Sequence, residues 1–152
     1  MPSRHRRDSC PSDEAVRTAS RDHDAPRRRK FLNFQILVER FPQSSFVFVG
    51  DTGELDGQAG ELMCYKYPEL MACVLLHVVG TSDVPSSYEV NGVPVRFFRT
   101  YVGAADICHA LGLLDRGAVD RVCDRALMEA SVYDDSRRED VVSDVERWRR
   151  KT

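Results

Sequence analysis

The sequence predicts an α/β fold in which helices flank a parallel β-sheet. Three short, nearly continuous apolar segments, at residues 46–49, 71–79 and 93–98, have the length of strands. Continuous apolar runs are typical of parallel strands that are covered on both faces. Between and after these runs, apolar residues recur every three or four positions, which is the period of a helix. Strands that alternate with helices favour a parallel, right-handed layer structure.

Residues 1–29 are predicted to form a disordered basic arm. They are rich in Arg, Ser, Asp and Pro and nearly free of large apolar side chains, so burial would not offset the entropy lost on ordering. Residues 1–30 carry nine Lys and Arg against five Asp and Glu, and the remainder carries thirteen against nineteen. The arm is interpreted as a solvated tail, with peripheral contact to an anionic membrane as the open alternative. Nucleic acid is not an expected partner, because no aromatic side chain lies among the charges to stack on bases.

The helices are predicted in chain order from periodicity and from residues that stop a helix. Residues 31–41 place apolar side chains on one face and end at Pro42. Gly57 and Gly60 predict a loosened loop before a short helix at 61–67. The other predicted elements are a surface loop at 80–91, helices at 102–114 and 119–128, and a solvated, loosely docked helix after 134.

The segment after the first strand predicts an acidic site. Gly50 and Asp51 follow the apolar run directly, and Asp56 comes five residues later. Ligand sites in open α/β sheets lie beyond the carboxyl ends of the strands, so Asp51 and Asp56 can converge there on one hard cation. The alternative for Asp51 is a residue that only forms the turn.

Several classes of protein are excluded by composition and motifs. Five cysteines without paired spacing indicate reduced thiols and a cytoplasmic setting, with neither a disulfide framework nor a zinc site. The longest apolar run is about nine residues, far below the ~20 that span a bilayer. Neither a Walker phosphate loop nor a Gly-x-Ser-x-Gly motif is present. His77 and His109 are interpreted as structural histidines.

Residues 30–114 as a series resemble a known family. Gly50, Asp51 and Asp56 resemble the fourth motif of the haloacid dehalogenase superfamily. The wider context resembles the actin-patch type of phosphatidate phosphatase, a lipin-related family of lipid phosphatases. The supporting features are Lys30 one helix length before Phe41-Pro42, a Gly-Asp-Thr-Gly turn at 50–53, Pro68, the apolar strand at 71–79 and a closing segment at 92–114.

This resemblance implies a site and a chemistry. It implies a partial Rossmann-like parallel sheet of the haloacid dehalogenase type, with a truncated catalytic domain at 30–131 and a charged helix or tail at 132–152. Asp51 and Asp56 would hold Mg²⁺, and Lys30 would neutralise the phosphoryl group and the nucleophile. The implied substrate is phosphatidate or another phosphomonoester, hydrolysed through an aspartyl-phosphate. Two carboxylates are a typical protein share of a magnesium shell.

The chain departs from the family at the nucleophile. The family's nucleophile lies in an Asp-x-Asp-x-Thr motif that closes an apolar strand, and this sequence contains no such motif. Asp22-His23-Asp24 has part of the spacing but neither the strand nor the threonine, so it is rejected. The chain is therefore interpreted as the carboxyl-terminal part of a Mg²⁺-dependent phosphatidate phosphatase, from a truncated gene product or an incomplete gene model, and is expected to be inactive alone. The alternative is a non-catalytic relative that binds anionic lipid or a protein.

Overall fold

A four-stranded sheet with helices on both faces forms the centre of the computed structural model, which describes residues 13–53, 55–80 and 83–151, with side chains from residue 25 onwards. The elements in chain order are α1 Asp13–Arg40, β1 Phe46–Asp51, α2 Asp56–Lys66, β2 Met71–His77, β3 Tyr88–Val90, β4 Val93–Phe98, α3 Tyr101–Ala110, α4 Arg116–Glu129 and α5 Asp135–Arg149, with a 3-10 turn at Ala130–Val132 before α5.

The sheet is mainly parallel, and this confirms the predicted fold class. Its strand order is β1-β2-β4-β3, so β1 forms one edge. β1 runs parallel to β2, and β2 runs parallel to β4. The register places Asp51 beside His77, so the last residues of β1 and β2 lie at the same end of the sheet. The architecture is compatible with a partial Rossmann-like fold.

The other edge is an antiparallel strand that the sequence prediction missed. Residues 80–91 were predicted to be a loop, but Tyr88–Val90 form β3 and pair with β4. The connecting residues Asn91 and Gly92 both have positive φ angles, 51° and 79°. Such angles at both central residues belong to the two-residue hairpin turn for which Asn-Gly is the preferred sequence. The Asn-Gly pair was therefore the signal of a hairpin.

One face of the sheet is covered by α1 and α2. Phe34 of α1 is buried, and its ring lies 5.3 Å from Phe46 and 5.6 Å from Tyr67, edge to face in both pairs. The buried members of this core are Phe34, Ala59, Met63, Cys64, Met71, Val74, Leu76, Val90, Val93 and Val95. This packing holds α1 in a fixed position relative to β1.

The opposite face is covered by α3, and α4 and α5 build a second core on α3. Cys73, Leu75 and Phe98 of the sheet pack with Ala104 of α3. The second core consists of Val102, Ala105, Val119, Cys123, Val141, Val145 and Trp148. The prediction that the helix after 134 is loosely docked is wrong, since Trp148 is 1% exposed and its Nε1–H donates to Asp120 at 2.7 Å.

The first helix begins much earlier than the sequence predicted. A disordered arm was predicted for 1–29, whereas the structure has α1 starting at Asp13 and containing Pro26. Residues 1–12 lie outside the described residues, so that part of the prediction stays open. None of the helices in the described ranges combines the length and the apolar character needed to cross a bilayer.

The cysteines in the described part of the chain are free thiols. Cys64, Cys73 and Cys123 are buried, and Cys108 is partly buried. Burial raises the pKa of Cys64 and of Cys73 to about 11. These four residues agree with the prediction of reduced thiols, and Cys10 lies outside the described residues.

Candidate functional site

Lys30, Asp51 and Asp56, which the sequence singled out, come together at the carboxyl end of β1. The ammonium of Lys30 forms an ion pair with Oδ1 of Asp56. The backbone N–H of Asp51 donates to Oδ2 of Asp56 at 3.1 Å. Three separate elements, α1, β1 and α2, therefore each contribute one residue to a single cluster, which we call the Lys30–Asp56 site.

The position of Lys30 follows from the packing of α1. Lys30, Phe34 and Val38 are spaced four residues apart, so they lie on one face of the helix. Because Phe34 is buried in the core, this face is turned towards the sheet. The Lys30 side chain is 29% exposed, which leaves its ammonium between the protein interior and solvent. The burial of Phe34 thus places the Lys30 ammonium at the carboxyl end of β1.

Asp56 is the buried anion of the site, and it begins α2. Its side chain is 8% exposed and lies in the first turn of the helix. The partial positive charge at a helix amino terminus stabilises a carboxylate there. The prediction of a loop up to residue 60 is wrong, because α2 already starts at Asp56. The carboxylate is held from three sides, by an ammonium, a strand amide and the helix end.

Gly50 belongs to the motif noted in the sequence, but it was not predicted to be a residue of the site. A Cβ atom on Gly50 would lie 2.5 Å from Cβ of Asp56 and 2.6 Å from its Oδ2. Distances this short are not tolerated, so only glycine lets β1 pass so close to the start of α2. Its place directly before Asp51 was the available signal.

Gly60 has a similar role deeper in the same interface. A Cβ atom there would lie 2.8 Å from Cγ1 of Val74 and 3.2 Å from a ring carbon of Phe48. The sequence prediction assigned Gly60 to a loosened loop. In the structure it lies inside α2 and allows the helix to pack closely on the sheet.

Asp51 shapes the turn that follows β1. Its Oδ1 accepts the backbone N–H of Gly53 at 2.8 Å. The next residue, Thr52, donates its N–H to the carbonyl of His77 at 2.9 Å, and its Oγ1 accepts the N–H of Val79 at 3.1 Å. The turn is therefore tied to the end of β2. Asp51 has the contacts of a turn-forming residue, and the same geometry keeps its carboxylate at the strand end.

The two histidines have structural contacts. Nε2 of His77 lies 3.0 Å from the carbonyl oxygen of Arg99, and Nδ1 of His109 lies 2.9 Å from that of Leu114. A carbonyl only accepts, so in each pair the ring nitrogen is the donor. This agrees with their interpretation as structural residues.

The oxygen atoms of the site suit a hard cation. Each carboxylate oxygen has two lone-pair directions, so the oxygens of Asp56 that accept from Lys30 and Asp51 keep acceptor capacity. Mg²⁺ takes one or two protein carboxylates and retains several waters, so Asp51 and Asp56 together fit its requirements. Among the described residues, no group of three or more His, Cys, Asp or Glu side chains is arranged to hold a metal.

The rejected Asp22-His23-Asp24 segment does not follow a strand. Residues 22–24 lie within α1, far along the chain from the end of β1. This agrees with rejecting the segment as a nucleophile motif, because the family's motif closes a strand.

Comparison of the chain with protein-family models, with curated proteins and with solved structures finds no match. The Lys30–Asp56 site offers one ammonium and two carboxylates at the carboxyl edge of a parallel sheet, which is where α/β proteins bind their ligands.

Proposed function

We propose that the chain carries half of the active site of a Mg²⁺-dependent phosphatase for phosphomonoesters, of the kind that the actin-patch type of phosphatidate phosphatase represents. The convergence of Lys30, Asp51 and Asp56 at the carboxyl end of β1 is the observation that carries this proposal. The substrate class is phosphatidate or another phosphomonoester. Unpaired thiols in the described residues support a cytoplasmic location.

The residues of the site match what phosphoryl transfer needs. The transferred group carries negative charge on its outer oxygens, so catalysis depends mainly on positioning and on cations. In this proposal the Lys30 ammonium neutralises part of that charge, and Asp56 fixes the ammonium in place. Asp51 and Asp56 would hold Mg²⁺, which when bound supplies Lewis-acid stabilisation of phosphoryl oxygens.

The attacking group has to come from another strand. The sequence contains no Asp-x-Asp-x-Thr motif, and β1 has a neighbouring strand on one side only. A further parallel strand on the open side of β1 would end next to the Lys30–Asp56 site. A carboxylate at the end of that strand would then face the Lys30 ammonium. Without it, the chain binds the ligands of the reaction but does not turn over.

Mg²⁺ binding can be tested by thermal unfolding. At a Mg²⁺ concentration ten times its dissociation constant, binding stabilises the folded state by about 1.4 kcal/mol, which corresponds to about 3–6 °C for a protein of this size. We expect this shift in the wild type and in the control Asp83→Ala, whose side chain is exposed. Asp51→Ala should abolish it. An equal shift in wild type and Asp51→Ala would contradict the metal assignment.

Release of phosphate from phosphatidate tests the missing nucleophile. We expect none from the purified chain with Mg²⁺ present. Release that disappears in Asp24→Ala would show that the rejected segment is the nucleophile after all.

The second candidate is a non-catalytic relative that binds anionic lipid or a protein. One observation favours it: both oxygens of Asp56 already accept hydrogen bonds, from Lys30 and from the Asp51 amide, so the cluster is satisfied without a metal. Absence of both a Mg²⁺ shift and phosphate release would support this candidate over the phosphatase.

A further inference from the structure

The solvent-facing side of α1 combines apolar and basic side chains. Leu32 and Ile36 are 54% and 61% exposed. At 100° per residue, both lie about 160° around the helix from the buried Phe34, so they point away from the core. A helix on the surface of a soluble protein normally places polar residues there. These two side chains therefore form an apolar stripe that nothing in the described part of the chain covers.

Arginines border this stripe at both ends. Arg28 and Arg29 lie one turn before Leu32, Arg40 lies one turn after Ile36, and all three are exposed. We call the set Arg28, Arg29, Leu32, Ile36 and Arg40 the outer face of α1. Glu39 is acidic and lies in the same sector of the helix, as do Glu14 and Asp22 nearer the start of α1.

The charge of this helix is opposite to that of the rest of the body. α1, residues 13–40, contains seven basic residues and five acidic ones, whereas residues 41–152 contain twelve basic residues against eighteen acidic ones. A negatively charged surface would attract α1 and repel the body. The two forces together orient the molecule with α1 towards such a surface.

We propose that the outer face of α1 binds the surface of an anionic lipid membrane. Helices that lie in the membrane interface combine an apolar stripe, which enters the headgroup region, with flanking Lys and Arg, which pair with lipid phosphates. Leu32 and Ile36 supply the stripe, and the arginines supply the charge. A protein partner or a second copy of the chain would cover the apolar stripe equally well. The basic residues on both sides of the stripe, set against an acidic body, favour the lipid surface.

The outer face of α1 and the Lys30–Asp56 site lie on different sides of the helix. Lys30 lies on the Phe34 side of the helix, and the outer face includes no residue of the site. Membrane binding therefore neither blocks the site nor depends on it. The experiments on vesicle binding and on Mg²⁺ binding can therefore have independent outcomes.

Co-sedimentation with vesicles tests the proposal. We expect the full chain to bind vesicles of phosphatidylcholine that contain phosphatidylserine, to leave vesicles of phosphatidylcholine alone unbound, and to bind less as salt is added. Arg28→Ala with Arg29→Ala should weaken binding about 25-fold, which is about fivefold for each positive charge. Leu32→Ser with Ile36→Ser should weaken it at least about tenfold.

A matched control comes from another exposed apolar pair. Met128 and Val132 are 72% and 80% exposed in and after α4. Met128→Ser with Val132→Ser should bind vesicles like the wild type, and circular dichroism should show that all variants are folded. Equal binding to both kinds of vesicle, or unchanged binding by Leu32→Ser with Ile36→Ser, would overturn the proposal. The proposal would also be overturned if the wild type formed a dimer that binds no vesicles and Leu32→Ser with Ile36→Ser were a monomer.

Discussion

The contact between Gly50 and Asp56 decides how closely the end of β1 approaches α2. A methyl group on Gly50 would overlap Cβ and Oδ2 of Asp56, at 2.5 and 2.6 Å. Asp56 cannot retreat easily, since it is held by Lys30 and by the Asp51 amide. The geometry of the site therefore depends on the absence of a side chain as much as on the three charged residues.

Gly50→Ala should destabilise the protein by about 1–3 kcal/mol, the range typical of overpacking in a well-packed region. Urea unfolding followed by circular dichroism measures this change. Gly57→Ala is the matched control, since a Cβ there would lie an ordinary 3.6 Å from Leu76 and the residue is helical. That control should be neutral or stabilising by up to about 1 kcal/mol. Equal free energies of unfolding for Gly50→Ala and the wild type would show that α2 can shift away from β1 to make room for the methyl group without loss of stability.

At the scale of elements, Trp148 is the largest of the buried side chains that join α5 to the body. Trp148 is buried among α3, α4 and α5, and its indole N–H donates to Asp120. The Arg116 guanidinium lies 4.9 Å from the centre of the Trp148 ring, and His109 meets the ring edge to face at 5.0 Å. A helix anchored in this way should unfold together with the rest of the protein.

Trp148→Ala should therefore cost about 3–5 kcal/mol, as large-to-small changes in a core do. Trp148→Phe keeps much of the apolar area and loses the hydrogen bond to the exposed Asp120, so it should cost less. Val142→Ala, at a half-exposed position of the same helix, is the control and should change stability little. The measurement is urea unfolding by circular dichroism, since Trp148 is the only tryptophan in the chain. If Trp148→Ala had the same stability as the wild type, that result would support the prediction from sequence that this helix is loosely docked.

The elements that the sequence predicted correctly are those whose signal is local. The apolar runs at β1, β2 and β4 and the helical periodicity of α3 and α4 each lie within one segment. The three-residue strand β3 was missed because it is too short to show alternation, and its pairing with Val95 lies outside its own segment. The start of α2 was missed because Gly57 and Gly60 read as loop residues. Close packing on Val74 is what makes Gly60 suitable inside the helix.

At the scale of the whole molecule, the sequence singled out the three charged residues that lie together at the end of β1, but not the contacts among them. Asp51 and Asp56 were placed at the strand end by the apolar run before them, and Lys30 by family resemblance. The ion pair between Lys30 and Asp56 joins α1 to α2 across 26 positions of the chain, so no local pattern contains it. The outer face of α1 was also missed, because the periodicity shows which residues face the core and says little about which apolar residues are left outside.

In the function we propose, Asp51 and Asp56 hold a divalent cation beside Lys30. Titration with Mn²⁺ in place of Mg²⁺, observed by broadening of backbone amide signals in NMR, tests this most directly. We predict that the amides of Asp51 and Gly53 broaden first, that excess Mg²⁺ restores them, and that Asp56→Asn removes the effect. Early broadening around Asp134 and Asp135 in α5 with sharp signals at Asp51 and Gly53, or an unchanged response in Asp56→Asn, would contradict the claim.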